Sequence, residues 1–325
     1  MRALTVTALT GPDGVSVTEQ PAPAAGDRVL VEVHAAGLSF PDLLRSQGAY
    51  QDRSEPPFVL GGEFAGVVVS APAGSGFAAG QRVAGIVPGG GAAAELVAAP
   101  AAGLLELPEA LSFEQGAGLI LNYETAILAL EVRGRMRAGE TVLVHGAAGG
   151  TGTAALQVAR GLGGETIAVV SDDGKAEVAR AAGAGHVLRS DQAWKDEALR
   201  LTGGRGVDLV FDPVGGDRML DTLRALAPAG RWLVIGFVGG EIPQVPLNRV
   251  LLRNVDVVGA YYGGWVSGQP AAVPGLRRRL LELIEAGHVR PLIGRPRPLA
   301  EGAEALREMA ERRATGKLVL QVRPA

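Results

Sequence analysis

The stretch that decides the fold is TVLVHGAAGGTG, residues 141–152, in which an apolar run leads into a glycine-rich turn. The apolar run has the length of a strand, and the segment TAALQVAR that follows, residues 153–160, is rich in helix formers. Beyond it, apolar runs alternate with helical patterns, which is typical of a parallel sheet covered by helices on both faces. We predict a doubly wound, Rossmann-type α/β domain.

The pattern on either side of this stretch indicates a second, mostly β region. Before Ser112 the chain is divided by Gly/Pro turns into short segments, and the predicted strands are Arg28–His34, Ala65–Ser70, Arg82–Val87 and Ala94–Ala98. In the Rossmann part they are Thr141–His145, Thr166–Ser171, His186–Leu188, Val207–Asp212, Arg231–Ile235 and Val255–Tyr261, with helices from about Gly150 and over Lys175–Ala182. The tail predicts helices over Leu276–Ala286 and Leu299–Arg313 and a strand over Leu318–Val322, which could return to the first sheet.

The glycines of the turn are spaced for a ligand. Gly146, Gly149 and Gly152 follow one another at intervals of three, which allows a tight turn and a close approach of the backbone. At the start of a helix, backbone N–H groups and the helix dipole favour a pyrophosphate. We therefore predict a dinucleotide site with Gly149, Gly150 and Thr151 against the phosphates.

The end of the second Rossmann strand bears on which dinucleotide is bound. NAD enzymes place an acidic residue there for the ribose 2′-hydroxyl, whereas NADP enzymes leave the position uncharged and supply a cation. Here the strand ends at Ser171, and Lys175 follows in the next helix, a pair that suits a 2′-phosphate. Asp172 is the alternative, because a shift of one residue would bring its carboxylate to the ribose. We predict NADPH (NADP) as the cofactor.

Composition excludes several classes of function. The net charge is −3 without a block of Lys and Arg, so no nucleic-acid partner is expected. The absence of Cys excludes disulfides, cysteine nucleophiles and Cys-liganded zinc. The start, MRALTV, lacks the apolar region of a signal peptide, and the most apolar helical stretch, Leu119–Leu130, carries Asn122 and Glu124. We expect a soluble, cytoplasmic protein with no membrane partner.

Several motifs in order along the chain resemble those of one family, the zinc-free quinone oxidoreductase (zeta-crystallin-like) branch of the medium-chain dehydrogenase/reductase superfamily. They are AAGLSFPD (35–42), GGEFAGVV (61–68), GQRV (80–83), GETVLVHGAAGG (139–150) and GKLVL (316–320). The resemblance implies a GroES-like catalytic domain over 1–122, a Rossmann NADP-binding domain over 123–262 and a C-terminal part, 263–325, that returns to the catalytic domain. It further implies an active site in the cleft between the domains, and a homodimer formed through the edge strand Val255–Tyr261.

Departures from the zinc-dependent relatives concern the metal. Those relatives place Cys where this chain has Ser39 and His where it has Gly62, beside Glu63, and the histidines here show no paired metal spacing. No zinc or other metal is therefore expected. Hydride transfer without a Lewis acid requires an acceptor that is electrophilic unaided, such as a quinone or a conjugated enone.

The resemblance also suggests residues of the site. Tyr50 is the candidate catalytic residue, as a proton donor to the reduced acceptor, with an aromatic pocket wall as the alternative. Asn122 and Thr125 match positions near the nicotinamide, with helix capping and packing as the alternative. The remaining cofactor candidates are Phe40, Asp42, Phe237, Tyr261 (with Tyr262 beside it) and Lys317, of which Asp42 could instead be structural and Lys317 a surface charge. Arg45 and Arg53 are expected to be solvent-exposed, with contact to an anionic substrate as the alternative.

The leading functional hypothesis is an NADPH:quinone oxidoreductase. The alternatives are an enoyl-thioester or 2-alkenal reductase of the same fold, and a non-catalytic NADPH-binding protein of the kind found among the lens crystallins of this branch.

Overall fold

The computed structural model describes residues 1–51 and 54–323. Two compact units are present, one formed by Met1–Leu121 with Pro291–Ala325 and the other by Asn122–Arg290. We call them unit 1 and unit 2.

The strands are numbered in chain order through both units. Within the described residues they are β1 (Arg2–Val6), β2 (Val15–Glu19), β3 (Val29–Leu38), β4 (Phe58–Val59), β5 (Glu63–Ser70), β6 (Arg82–Ile86), β7 (Leu96–Ala99), β8 (Leu104–Glu106), β9 (Thr141–His145), β10 (Glu165–Val170), β11 (His186–Arg189), β12 (Val207–Asp212), β13 (Leu226–Val234), β14 (Asp256–Gly259), β15 (Arg297–Pro298) and β16 (Leu318–Gln321).

The α-helices belong mostly to unit 2. They are α1 (Phe40–Ser46), α2 (Phe113–Gly116), α3 (Ile120–Ile127), α4 (Gly150–Gly161), α5 (Asp173–Ala181), α6 (Trp194–Leu201), α7 (Met219–Ala225), α8 (Leu247–Arg253), α9 (Tyr262–Gly268), α10 (Val273–Glu285) and α11 (Gly302–Ala310). A π-helical segment, Leu128–Arg133, continues α3. Within the described part of the chain, none of the helices has the length and apolar character needed to cross a membrane.

Unit 1 is built on a mainly antiparallel sheet in the order β15-β16-β3-β5-β6-β8, with β7 also paired to β3, and on a small sheet in the order β2-β1-β4. Alternate residues of β3, namely Val29, Val31 and Val33, point into the core, as expected for a sheet with one buried face. The tail strand β16 lies antiparallel to β3, with Leu318 opposite Leu38. The prediction that the tail returns to the first sheet is therefore confirmed.

Unit 2 holds six parallel strands in the order β11-β10-β9-β12-β13-β14. The chain starts at β9, builds outward through β10 and β11, and then crosses to β12 on the other side. This is the doubly wound Rossmann order, so the predicted fold class is confirmed. In such sheets ligands bind at the carboxyl ends of the strands near the point where the order reverses, here between β9 and β12.

Residues 263–290 depart from the predicted division of the chain. We placed the return to unit 1 at residue 263, whereas the structure groups the chain up to Arg290 with unit 2. The reason lies in α10: Leu283 is buried and packs close to Gly161 at the end of α4, and Nε of Arg277 donates to the buried carboxylate of Glu124 at 2.5 Å. These contacts hold α10 in unit 2.

Candidate functional site

The glycine turn joins β9 to α4 as the motif predicts. Gly146 has a φ of +59°, a conformation that favours glycine, and Gly149 is the N-terminal capping residue of α4. A Cβ on Gly152 would lie 2.7 Å from Ala147 Cα and closer still to the carbonyl oxygen of Gly146, so only glycine allows this packing of helix on turn. The first N–H groups of α4 have no partner within the helix and can bind an anion. The turn thus fits a pyrophosphate.

Two predicted residues meet at this helix end. Oγ1 of Thr151 donates to Oδ1 of Asn122 at 3.1 Å, which ties α3 to the first turn of α4. Thr125 is buried one turn further along α3. The Asn122 side chain therefore positions the turn by a contact that was not expected between these two residues.

His145, the last residue of β9, lies beneath the turn in a closed environment. Its ring is fully buried, contacts Thr222 Oγ1 through Nε2 at 3.0 Å, and stands edge-on to Trp194. Burial lowers the pKa of His145 to about 4. The imidazole is consequently neutral near pH 7 and serves as packing beneath the turn.

Asp212 ends β12 on the other side of the point where the strand order reverses. One carboxylate oxygen accepts from the N–H groups of Val214 and Gly215, at 2.8 and 3.0 Å, and the other accepts from Trp232 Nε1 at 3.0 Å. The buried carboxylate fixes the loop that follows the strand.

The carboxyl end of β10 carries a cluster of three polar side chains. Asp172 caps α5, accepting from the Lys175 backbone N–H at 2.8 Å, and also accepts from the Ser171 hydroxyl at 2.8 Å. Nζ of Lys175 lies 2.8 Å from Ser171 Oγ and 3.3 Å from an Asp172 oxygen. The bond from the Lys175 N–H, together with that from Ser171, holds the pKa of Asp172 below its usual range. The structure thus brings the predicted pair Ser171 and Lys175 together and turns Asp172 toward the helix end.

Arg189 is a residue of this edge that the sequence analysis missed. It ends β11, opposite Val170 in the parallel register of β10 and β11. Its guanidinium donates to Asp173 Oδ1 at 2.6 Å and to Asp191 Oδ2 at 3.1 Å. The sequence could have indicated it, because Arg189 is a cation at the end of the strand that follows β10. The carboxyl ends of adjacent parallel strands lie at the same edge of the sheet.

Unit 1 contains a polar cluster of a different kind, formed by Ser39, Glu63 and Lys317. The ammonium of Lys317 donates to one Glu63 oxygen and, at 2.7 Å, to Ser39 Oγ. The other Glu63 oxygen accepts from the Leu121 N–H at 2.8 Å. Both charged side chains are buried.

Phe40, Arg45 and Tyr50 lie along α1 and the segment after it. Phe40 is half-buried and packs against the unit 1 core, and Tyr50 is half-buried beyond the helix. Arg45 is buried, contrary to our expectation, because its guanidinium donates to Ser54 Oγ at 3.0 Å and to the Gly89 carbonyl. Arg53 lies outside the described residues.

Comparison with known proteins follows the same two units. A family model described as alcohol dehydrogenase GroES-like domain matches residues 25–109, and one described as zinc-binding dehydrogenase matches residues 150–281. Quinone oxidoreductase-like protein 2 of Bos taurus is 38% identical over 309 residues, covering 93% of this chain and 87% of that protein. The chain belongs to the quinone oxidoreductase branch of the medium-chain dehydrogenase/reductase superfamily.

Solved structures of this superfamily match nearly the whole chain. A probable oxidoreductase from Mycobacterium abscessus is similar with a TM-score of 0.90 at 40% identity, covering 99% of this chain and 98% of that one. The quinone oxidoreductase from Thermus thermophilus, whose complex with NADPH is also known, gives a TM-score of 0.83 at 35% identity, covering 99% and 100%.

Two of the predicted cofactor contacts in this oxidoreductase have protein partners within unit 1. Lys317 is not a surface charge, because its ammonium is buried against Glu63 and Ser39. Asp42 is buried, and its oxygens accept from the N–H groups of Ser39 at 2.8 Å and Gly61 at 2.9 Å. Burial raises the pKa of Asp42, against the effect of these two bonds. Both residues hold unit 1 together.

The remaining predicted residues of the superfamily member follow β13 and β14. Phe237 is half-buried after β13, and Tyr261 is exposed at the start of α9. Tyr262 is buried and donates its hydroxyl to Glu124 at 2.5 Å. The Tyr262 hydroxyl thus links the start of α9 to α3.

Zinc, which one family description implies, requires a donor set that this oxidoreductase does not offer. The Glu63 carboxylate is occupied by Lys317 and the Leu121 N–H, Ser39 accepts from the same ammonium, and Gly62 has no side chain. Across the residues that the structure describes, no three His, Asp or Glu side chains are grouped so as to hold a metal ion. The residues present do not fit zinc, and we derive no step through it.

Proposed function

We propose that this protein is an NADPH-dependent oxidoreductase that transfers hydride, without a metal, to a quinone or a related conjugated carbonyl. The observation that carries the proposal is the Ser171–Lys175 pair at the carboxyl end of β10, because a cation and an uncharged hydroxyl there suit a 2′-phosphate. The NADPH complex of the Thermus thermophilus quinone oxidoreductase supports the same cofactor.

The residues of unit 2 would bind the dinucleotide in two places. The first turn of α4, held by the Asn122–Thr151 bond, receives the pyrophosphate, and Ser171 with Lys175 receives the 2′-phosphate. Bound NADPH supplies a hydride from C4 of its nicotinamide. The protein contributes orientation of the bound cofactor and, at Tyr50, a phenol that can shape the acceptor pocket or give a proton.

The donor set in unit 1 supports the proposed acceptor class. A carbonyl that needs a Lewis acid would find Lys317 and Glu63 already paired with each other, so the favoured acceptor is one that is electrophilic unaided. Quinones and conjugated enones meet this condition.

A panel of acceptors with NADPH and with NADH tests the proposal. We expect quinone-dependent oxidation of NADPH, slower oxidation of NADH, and no change after exhaustive chelation. Faster reduction of an enone or enoyl thioester than of any quinone would favour the alkene reductase. Binding of NADPH without turnover would favour the non-catalytic alternative, and activity lost on chelation and restored by zinc would contradict the metal-free proposal.

The assembly that we propose is a homodimer formed through the edge of the unit 2 sheet. β14 ends that sheet and leaves backbone groups open, and Val257 on it is exposed, together with Leu247, Leu251 and Leu252 of α8. Sedimentation should show a dimer at micromolar concentration. Leu251→Asp should shift it toward monomer, whereas Leu9→Asp, at an exposed leucine of unit 1, should not. A monomeric wild type would contradict the dimer.

A further inference from the structure

Arg189 stands at the same sheet edge as the 2′-phosphate pair. The register that sets Arg189 opposite Val170 also places it beside the start of the Ser171–Lys175 cluster, since Val170 is the last residue of β10. The N–H of Ser190 donates to the Val170 carbonyl at 2.8 Å, which fixes the two strand ends side by side.

The guanidinium of Arg189 is directed at the amino end of α5. It binds Asp173, the first residue of that helix, and Lys175 lies on the same first turn. The ammonium of Lys175 and the guanidinium of Arg189 are thus both held at one helix end, where the helix dipole also favours an anion.

The cations of this cluster are held more deeply than the carboxylates paired with them. Side-chain exposure is 19% for Lys175 and 26% for Arg189. It is 93% for Asp173 and 60% for Asp191. Ion pairs with such exposed carboxylates contribute little to stability, so an arriving phosphate can replace them while the cations stay in place.

We propose that Arg189 is a second cation of the 2′-phosphate site, and that Asp173 and Asp191 hold its guanidinium ready until the phosphate takes their place. Arg189 then contributes to the choice of NADPH over NADH by a charge-assisted bond, which the planar guanidinium can make with two nitrogens and the Lys175 ammonium cannot. The inference rests on the proposed use of NADPH.

Binding measurements on three variants test this role. Dissociation constants for NADPH, NADH, 2′,5′-ADP and 5′-AMP are measured at one ionic strength for the wild type, Arg189→Gln, Lys175→Met and the control Arg180→Gln. Arg180→Gln removes a cation from the far end of the same helix, where Arg180 pairs with Glu177. Arg189→Gln should weaken NADPH and 2′,5′-ADP about tenfold, the expected effect of one charge-assisted bond, and leave NADH and 5′-AMP within about twofold. Arg180→Gln should change none of the four.

A gain of binding gives the opposite sign. Asp173→Asn frees one terminal nitrogen of Arg189 and removes a negative charge, so NADPH should bind a few-fold more tightly while NADH is unchanged. Circular dichroism checks that each variant is folded.

The outcomes separate this inference from the proposed function. If Lys175→Met lowers NADPH affinity and Arg189→Gln does not, Arg189 is not part of the site, although the use of NADPH stands. If Arg189→Gln weakens all four ligands alike, its role is structural and the inference fails. If the wild type binds NADH more tightly than NADPH, the proposed cofactor itself is wrong and the inference falls with it.

Discussion

The polar cluster at the end of β10 and the one around Ser39 differ in how exposed their charged side chains are. Candidate cofactor contacts from the sequence include Ser171 and Lys175 of the first cluster and Lys317 of the second. In the first, Lys175 and Asp172 retain exposure of 19% and 51% and bind one another, so a ligand can compete for them. In the second, Lys317 and Glu63 are 4% and 1% exposed and are paired with each other. A ligand there would have to break a buried ion pair, which is costly.

The largest expected effect comes from breaking the buried pair. Lys317→Met should lower the free energy of unfolding by about 3–5 kcal/mol, because it leaves the Glu63 carboxylate buried without its counter-charge. Lys175→Met at the exposed cluster should cost less than about 1 kcal/mol. Urea unfolding followed by circular dichroism is the suitable measurement, since the three tryptophans all belong to unit 2 and do not report on unit 1.

A double variant controls for packing. Glu63→Gln with Lys317→Met should regain part of the lost stability, as removing both charges removes the desolvation penalty. The contrast between the clusters breaks down if Lys317→Met is as stable as the wild type but binds NADPH weakly, because Lys317 would then act on the ligand.

His145, one residue before the glycine turn, is buried, and the pH dependence of stability tests that burial. Its pKa is about 4 in the folded protein and near 6.5 when exposed. Between these values the unfolded chain binds a proton that the folded chain does not. The contribution of His145 to the free energy of unfolding is therefore fully present above about pH 6.5 and is lost toward pH 4, by up to roughly 3 kcal/mol. Tryptophan fluorescence in urea measures this, since Trp194 contacts the ring.

His145→Gln keeps a hydrogen-bonding group for Thr222 but cannot titrate. The wild-type protein should lose more stability than this variant between pH 6.5 and 4, while other acidic groups affect both equally. Parallel curves for the two proteins would show that folding does not lower the pKa of His145.

The sequence predicts elements better than their partners. The strand, turn and helix from Thr141 to Gly161 follow from local glycine spacing and apolar patterning, and these were anticipated closely. The helix α10 was also predicted, but its apolar face does not indicate which unit it packs against. That is why the boundary was placed at 263 instead of after Arg290.

The same reason explains why the partners of several polar residues were not predicted. Charged residues such as Lys317, Asp42 and Arg45 are found in sequences both as ligand contacts and as surface charges. Only the folded chain shows their partners, which are Glu63 for Lys317, the Gly61 N–H for Asp42 and the Gly89 carbonyl for Arg45. Arg189 was missed because its nearness to Ser171 arises from strand pairing, which is remote in sequence.

Gly152→Ala sharpens the comparison on the nucleotide side. The new Cβ would meet the backbone of the turn, so the turn must shift and affinity for NADPH and NADH should fall together, by about tenfold or more, equal to about 1.4 kcal/mol. Lys175→Met, in contrast, should affect NADPH alone. Gly275→Ala, where a Cβ meets open space, is the matched control in the same binding assay. A Gly152→Ala protein with unchanged affinity would remove the turn from the site.

Tyr50→Phe should have the smallest effect, and it tests whether this half-buried residue shapes the acceptor pocket or donates a proton. If the acceptor is a quinone, the reduced anion can take its proton from water, so the phenol contributes shape and turnover should change only about two- to threefold. If the reaction is alkene reduction, a carbon must be protonated, and general-acid assistance is typically worth about 10²–10⁴-fold. Steady-state rates with both acceptor classes, alongside NADPH affinity, decide between them. A loss above about a hundredfold in quinone turnover, with fold and NADPH affinity preserved, would make Tyr50 an essential acid. The proton donor would then be a residue that belongs to neither of the two polar clusters.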